Sequence, residues 1–81
     1  MDTLELLRTF RDVAEQGSFS RAATRLGLAR ATVSKYVAEL ETRLGVRLLN
    51  RSTRSVSLTD AGALLLERSG PVMEMLTLTK A

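Results

Sequence analysis

A pair of adjacent alanines with a glycine shortly after it constrains this chain more than any other feature of its sequence. Ala22 and Ala23 lie between Phe19 and Leu26 on one face of a short amphipathic run, and Gly27 ends that run. Small side chains let a second helix cross closely, and glycine turns the chain without strain. Beyond Gly27, the positions Val33, Val37, Leu40 and Leu44 recur with helical spacing from about Ala29 to the next glycine, Gly45. The pattern predicts a helix-turn-helix over 19–38, with Ala22, Leu26, Leu28 and Val33 as its apolar supports.

The flanking segments complete an architecture. Leu4, Leu6, Leu7, Phe10, Val13 and Ala14 form one stripe of an amphipathic helix, which Asp2 or Thr3 can cap and Gly17 ends. Ser18 then offers a side-chain oxygen to the free amides of the next helix. After Gly45 the period shortens, and Arg47-Leu48-Leu49-Asn50 and Ser55-Val56-Ser57-Leu58 read as two strands around the polar tip Arg51-Ser52-Thr53-Arg54. A lone hairpin is marginal in water, so Leu49, Val56 and Leu58 are expected to pack on the helices. Thr59-Asp60 starts a last helix carrying Leu64, Leu65, Leu66, Val72, Met73, Met75, Leu76 and Leu78. Pro71 interrupts its hydrogen bonding, but apolar spacing resumes beyond it, so a kink is expected rather than a stop. Two separate helices are the alternative.

The expected fold is therefore mainly α: a winged helix-turn-helix, with a three-helix core plus a two-stranded β wing, followed by a long linker helix. Residues 1–58 form the winged unit, with the wing at 47–58, and 59–81 the linker and dimerisation helix.

With 81 residues the chain is one small domain. A domain of that size buries only about 60–65 % of its unfolded surface, so a partner subunit is worth seeking. The absence of Cys and His removes thiolate nucleophiles, imidazole bases and zinc sites built on sulfur or nitrogen. No run of 18 apolar residues occurs, and the opening Met-Asp-Thr-Leu-Glu lacks the pattern of a secretory signal. A cytoplasmic chain without a membrane partner is expected.

Charge is informative by segment rather than in total. From Gln16 to Ala38 stand Arg21, Arg25, Arg30 and Lys35 with no acid, and from Thr42 to Thr59 stand Arg43, Arg47, Arg51 and Arg54, again with none. Such zones suit a polyanion, the alternative being helix faces that carry arginine for solubility. The acids Glu39 and Glu41 come only late in the third helical run, so its basic start is the expected contact end.

These features, in this order, resemble the N-terminal winged helix-turn-helix domain of the LysR-type bacterial transcriptional regulators. The resemblance rests on Leu4 to Phe10 with Val13-Ala14, on Gly17-Ser18-Phe19-Ser20-Arg21-Ala22-Ala23 with Leu26, and on Val33-Ser34-Lys35. It continues through Leu40-Glu41, Leu44-Gly45-Val46-Arg47-Leu48-Leu49, Asn50-Arg51-Ser52-Thr53-Arg54 and Leu58-Thr59-Asp60-Ala61-Gly62, and so covers nearly the whole chain. It implies sequence-specific binding of double-stranded DNA as a homodimer for transcription regulation, as activator or repressor. The third helix would enter the major groove, the wing would meet backbone and minor groove, and the last helix would pair with its counterpart. The family's effector-binding domain is absent from these residues, so the chain reads as a fragment of a longer regulator. In the full-length protein a small-molecule effector and RNA polymerase are further implied partners, and the place of action is the bacterial nucleoid.

The expected DNA-binding residues are Ser18, Ser20, Arg21, Arg30, Ala31, Thr32, Ser34, Lys35, Arg51, Ser52, Thr53 and Arg54. Arg30 falls where the family often has a base-contacting Gln, and a guanidinium there can bridge guanine O6 and N7. Ala29 and Ala31 fall where Ser and Pro are common, so the third helix loses a side-chain cap worth about 1 kcal/mol. Ser34 and Lys35 match groove-facing family positions, while Thr32 offers a hydroxyl and a methyl to a base edge or phosphate. Thr32 and Ser34 have the alternative of bonding back to a helix carbonyl, and Tyr36 reads as a packing residue. Arg51 and Arg54 match phosphate and minor-groove positions, with Ser52 and Thr53 as further phosphate donors; an internal ion pair is the alternative for Arg51. Ser18, Ser20 and Arg21 sit where free amides favour a phosphate, although Ser18 serves as a cap first.

Leu65, Val72, Met75, Leu76 and Thr79 have roughly coiled-coil spacing and are the expected dimer seam. The alternative is that Leu64 and Leu65 cover the domain core and only residues beyond Pro71 pair. A two-fold dimer sets its recognition helices about 34 Å apart and predicts a dyad-symmetric site. Catalytic residues, metal ligands and a cofactor are not expected. An enzyme acting through Ser, Asp and Lys lacks any convergent base or nucleophile. A protein-binding winged helix would want aromatic or Met anchors where the third helix starts polar.

Overall fold

The computed structural model describes residues 2–50 and 56–80, and for 72–80 it describes the helical backbone. The elements run α1 Thr3–Gln16, α2 Phe19–Leu26, α3 Arg30–Leu44, β1 Leu49–Asn50, β2 Ser57–Leu58 and α4 Asp60–Lys80. Helix boundaries follow from local chemistry. The Asp2 carboxylate accepts from the Leu4 amide at 3.3 Å, and the Ser18 hydroxyl accepts from the Arg21 amide at 3.2 Å. Gly27 ends α2 in the left-handed conformation at φ 68°, where the next amide, that of Leu28, donates back to the Ala23 carbonyl at 3.0 Å. Ala29 begins α3 with no side-chain cap, as the sequence predicts.

Helices α1, α2 and α3 all pack against one another. Leu6, Phe10 and Val13 of α1 meet Phe19, Ala22 and Ala23 of α2 and Val33, Val37 and Leu40 of α3, and Leu48 and Leu49 close the core from below the wing. The two alanines are buried where α2 is crossed, which is the steric need that the sequence pattern announces. Two expected supports, and Leu44 of the third helical stripe, are covered only in part. Leu26 and Leu28 are each 37 % exposed and Leu44 is 47 % exposed. Each stands at or just past a helix end, where helical spacing continues but neighbouring elements cover the side chain only in part.

The wing is antiparallel, with Leu49 opposite Leu58 and Asn50 opposite Ser57. Its strands are shorter than the predicted 47–50 and 55–58. Just before the first strand, the Leu48 amide is taken by the Glu41 carboxylate at 2.8 Å instead of a ladder partner. Val56 and Leu58 pack against the core as expected. The wing tip, residues 51–55, lies outside the described residues.

Thr59 caps α4 by accepting the Gly62 amide on its hydroxyl at 3.0 Å. The helix continues through Pro71 instead of dividing into two. Gly62 and Ser69 are buried and Leu65 and Leu66 half-buried, one stripe that docks the first turns of α4 on the domain. Gly62 permits that docking, because a Cβ there would collide with the Leu48 carbonyl oxygen.

Candidate nucleic-acid interface

The start of α3 presents a polar, basic surface. Arg30, Ala31 and Lys35 are exposed, with Thr32 and Ser34 half-buried beside them. The Arg30 guanidinium carbon lies 6.0 Å from the centroid of the Phe19 ring. A cation over an aromatic face at that distance is attracted by the ring, so a core residue of α2 restrains the first side chain of α3. The hydroxyls of Thr24 and Thr42 donate back to carbonyls one turn earlier, at 3.1 and 3.0 Å. Among the described residues, those of Thr32 and Ser34 make no such bond and remain available to a ligand. Tyr36 packs against the core, as its spacing predicts.

Beside this surface, Ser20 and Arg21 are exposed at the first turn of α2, and Ser18 is occupied as its cap. Helix N-termini favour anions through free amides and the helix dipole, and Arg21 adds a formal charge at this one.

The basic zones of the sequence divide once their partners are seen. Arg25 donates from Nε to Asp12 Oδ1 at 2.9 Å, joining α2 to α1 over a carboxylate only 9 % exposed. Arg43 pairs with Glu39 at 3.0 Å and donates to the Thr3 hydroxyl at 2.9 Å. Arg47 is 71 % exposed, with Nη1 3.9 Å from Glu41. Arg21, Arg30 and Lys35 have no ion pair among the described residues, nor do Arg8 on α1 and Arg68 on α4; what sets α2 and the start of α3 apart is that three such cations stand there with no acid between Gln16 and Ala38.

Arg51, Ser52, Thr53 and Arg54 lie outside the described residues, as do the side chains of Val72, Met75, Leu76 and Thr79. Leu65 packs against its own domain's core, while Leu64 beside it is 48 % exposed. Of the two residues that the alternative reading turns to the core, Leu65 is thus half-buried there and Leu64 is not.

Sequence reasoning missed three polar anchors: the Asp12–Arg25 pair, the Glu41 carboxylate, and Arg11, which reaches α4. A signal existed for two. Asp12 follows Thr9 by three positions on the buried side of α1, and Glu41 falls four after Val37 within the apolar stripe of α3. An acid inside an apolar stripe implies a buried partner. Among the described residues no helix is long and apolar enough to cross a membrane.

Three helices, a wing and an exposed basic helix start define a winged helix-turn-helix domain. Residues 4–63 match the model of the bacterial regulatory helix-turn-helix proteins of the lysR family, and the chain belongs to that family. An HTH-type transcriptional repressor of Pseudomonas aeruginosa is 46 % identical over 76 residues, covering 94 % of this chain and 24 % of that protein. The transcriptional regulator CrgA of Neisseria meningitidis is 49 % identical over 70 residues, covering 86 % of this chain and 23 % of its own. The chain thus spans about a quarter of the length of these curated relatives. A crystal structure of a CbnR DBD–DNA complex superposes with a TM-score of 0.89 at 35 % identity, covering 99 % of this chain and 91 % of that one. A BenM DBD complex with catB site 1 DNA gives a TM-score of 0.83 at 33 % identity, covering 99 % and 92 %.

Proposed function

We propose that this chain reads duplex DNA in sequence as a homodimer, with α3 in the major groove, the wing on backbone and minor groove, and α4 as the pairing element. The observation that carries the reading is that three unpaired cations, Arg21, Arg30 and Lys35, stand together on α2 and the exposed start of α3 in a stretch without acids, while Arg25 and Arg43 are engaged by carboxylates. Arg30 and Lys35 are the leading base-contacting residues, with Ala31, Thr32 and Ser34 beside them. Ser18, Ser20 and Arg21, together with Arg51, Ser52, Thr53 and Arg54 of the wing, are the phosphate contacts. The DNA-bound CbnR and BenM domains support this reading through their close fold match.

The seam is assigned to Val72, Met75, Leu76 and Thr79, with the contribution of Leu65 directed to its own core. In the full-length protein the domain would serve transcription regulation, as activator or repressor, under a small-molecule effector and in contact with RNA polymerase. The site of action is the cytoplasm, on the nucleoid, and the role is binding without catalysis.

Selection of the purified chain on random duplex DNA tests the reading. Enrichment of a two-fold site with halves about one helical turn apart, with a guanine under Arg30, is the expected result. Retention of DNA without an enriched sequence would overturn sequence reading by α3.

A further inference from the structure

The last docked turn of α4 is held by a polar group that none of the DNA-facing residues explains. Arg11, from α1, donates from Nη1 to the Leu66 carbonyl at 2.7 Å and to the Ser69 hydroxyl at 2.8 Å. Ser69 lies 3.3 Å from the same carbonyl and donates to it, and the serine is only 5 % exposed. Arg11 itself is 19 % exposed, and its other amino group stands 3.9 Å from Glu15. The next residue, Gly70, lies under the guanidinium, where an added Cβ would sit 3.8 Å from Nη2. Pro71 follows, and it has no amide to donate to the Glu67 carbonyl.

The position of this clamp matters more than its strength. The docked stripe of α4 begins at Gly62, continues through Leu65 and Leu66, and reaches Ser69 just before the Gly70-Pro71 step. Apolar contacts are non-directional, so leucines alone fix the distance of α4 from the core better than its rotation. A forked guanidinium bonded to both a carbonyl and a hydroxyl fixes direction as well. It acts at the point where helical hydrogen bonding is weakened by proline and the helix is easiest to bend. α1 in turn packs directly on α3.

We infer that Arg11, acting through Ser69 and the Leu66 carbonyl, is a positioning residue that sets the angle at which α4 leaves the domain, and thereby the separation of two recognition helices in the dimer. The second clause rests on the dimeric reading above, and the first does not. Arg11 touches no DNA in this assignment. Its effect appears as geometry: one half-site is read equally well with or without the clamp, whereas two half-sites are matched only when α4 leaves at a fixed angle.

The test uses Arg11→Met, which keeps much of the apolar stem, and Ser69→Ala, which removes only a hydroxyl. Spin labels are placed through Thr42→Cys on α3 and Glu74→Cys on α4, and labelled chain is diluted into unlabelled chain so that distances are intramolecular. The expected result is a narrow α3–α4 distance distribution that broadens in both clamp variants. In parallel, each variant is offered duplexes with one half-site and duplexes whose two half-sites vary in spacing. Unchanged binding to one half-site with loss of the spacing preference supports the inference, because general loosening of the fold would weaken both. Unchanged distance distributions in both variants would overturn it. If the parent chain itself shows no spacing preference, the dimeric reading fails while the distance measurement still decides the role of Arg11.

Discussion

Glu41, buried near the end of α3, receives the backbone amide of Leu48 on Oε2 at 2.8 Å, and the same oxygen accepts from Leu49 at 3.2 Å. One carboxylate thus satisfies two amides where the chain leaves the helices for the wing. Replacing it removes the acceptor and leaves the donors buried. Each stranded donor costs about 1–3 kcal/mol, so Glu41→Ala is expected to cost roughly 3 kcal/mol in urea unfolding. Glu41→Gln retains an oxygen but brings a donor beside donors, and should fall between the two. A loss below about 1 kcal/mol for alanine would show that water replaces the carboxylate.

Gly62→Ala sets two effects against each other. Alanine favours the helix by about 1 kcal/mol over glycine. Its Cβ, however, meets the Leu48 carbonyl oxygen, a backbone atom that can give way only if the strand moves. Overpacking costs about 1–3 kcal/mol, so the variant should melt at a lower temperature than the parent. A higher melting temperature would mean that α4 approaches the strand less closely.

Arg30→Ala should cost about 1–3 kcal/mol of discrimination at one base pair of each half-site, read by competition between matched and mismatched duplexes. Weakening that is equal for all sequences would assign the guanidinium to a phosphate instead.

Arg54 and Arg25 should separate in a salt titration. Each phosphate contact contributes about −0.9 to the slope of log affinity against log salt, so Arg54→Ala should flatten the slope by roughly one unit per site. Arg25 is engaged by Asp12, whose Oδ2 is already buried without a partner. Arg25→Ala should leave the slope nearly unchanged and lower stability, since it strands a buried carboxylate. A flattened slope for Arg25→Ala would place it on the DNA.

The parts of this fold legible in the sequence are those written in local chemistry. Gly17, Gly27 and Gly45 all adopt positive φ at the predicted helix ends, and Asp2, Ser18 and Thr59 supply the predicted caps. The crossing at Ala22 and Ala23 follows from size alone. What was not legible depends on distant partners. Periodicity names a face of a helix but not how far a neighbour extends along it, so Leu26, Leu28 and Leu44 were expected to be covered and are covered only in part. Counting charges along the chain placed Arg25 and Arg43 with the polyanion surface; the Asp12 partner of Arg25 emerges only on folding, whereas Glu39 stands four residues before Arg43 on the same helix and was there to be read. Of the site itself, the basic start of α3 was readable, whereas its restraint by Phe19 depends on how α2 lies across it.

Leu48 is held from both sides of its peptide: its amide by Glu41 of α3, and its carbonyl by the Thr59 amide at 3.0 Å, one residue before α4. Loosening the backbone there breaks bonds to two elements at once. The base of the wing and the root of α4 are therefore expected to open together in hydrogen exchange, as one local unit. Leu48 thus ties the root of α4 to the end of α3 through two bonds of a single residue, while Arg11 ties the later turns of α4 to α1.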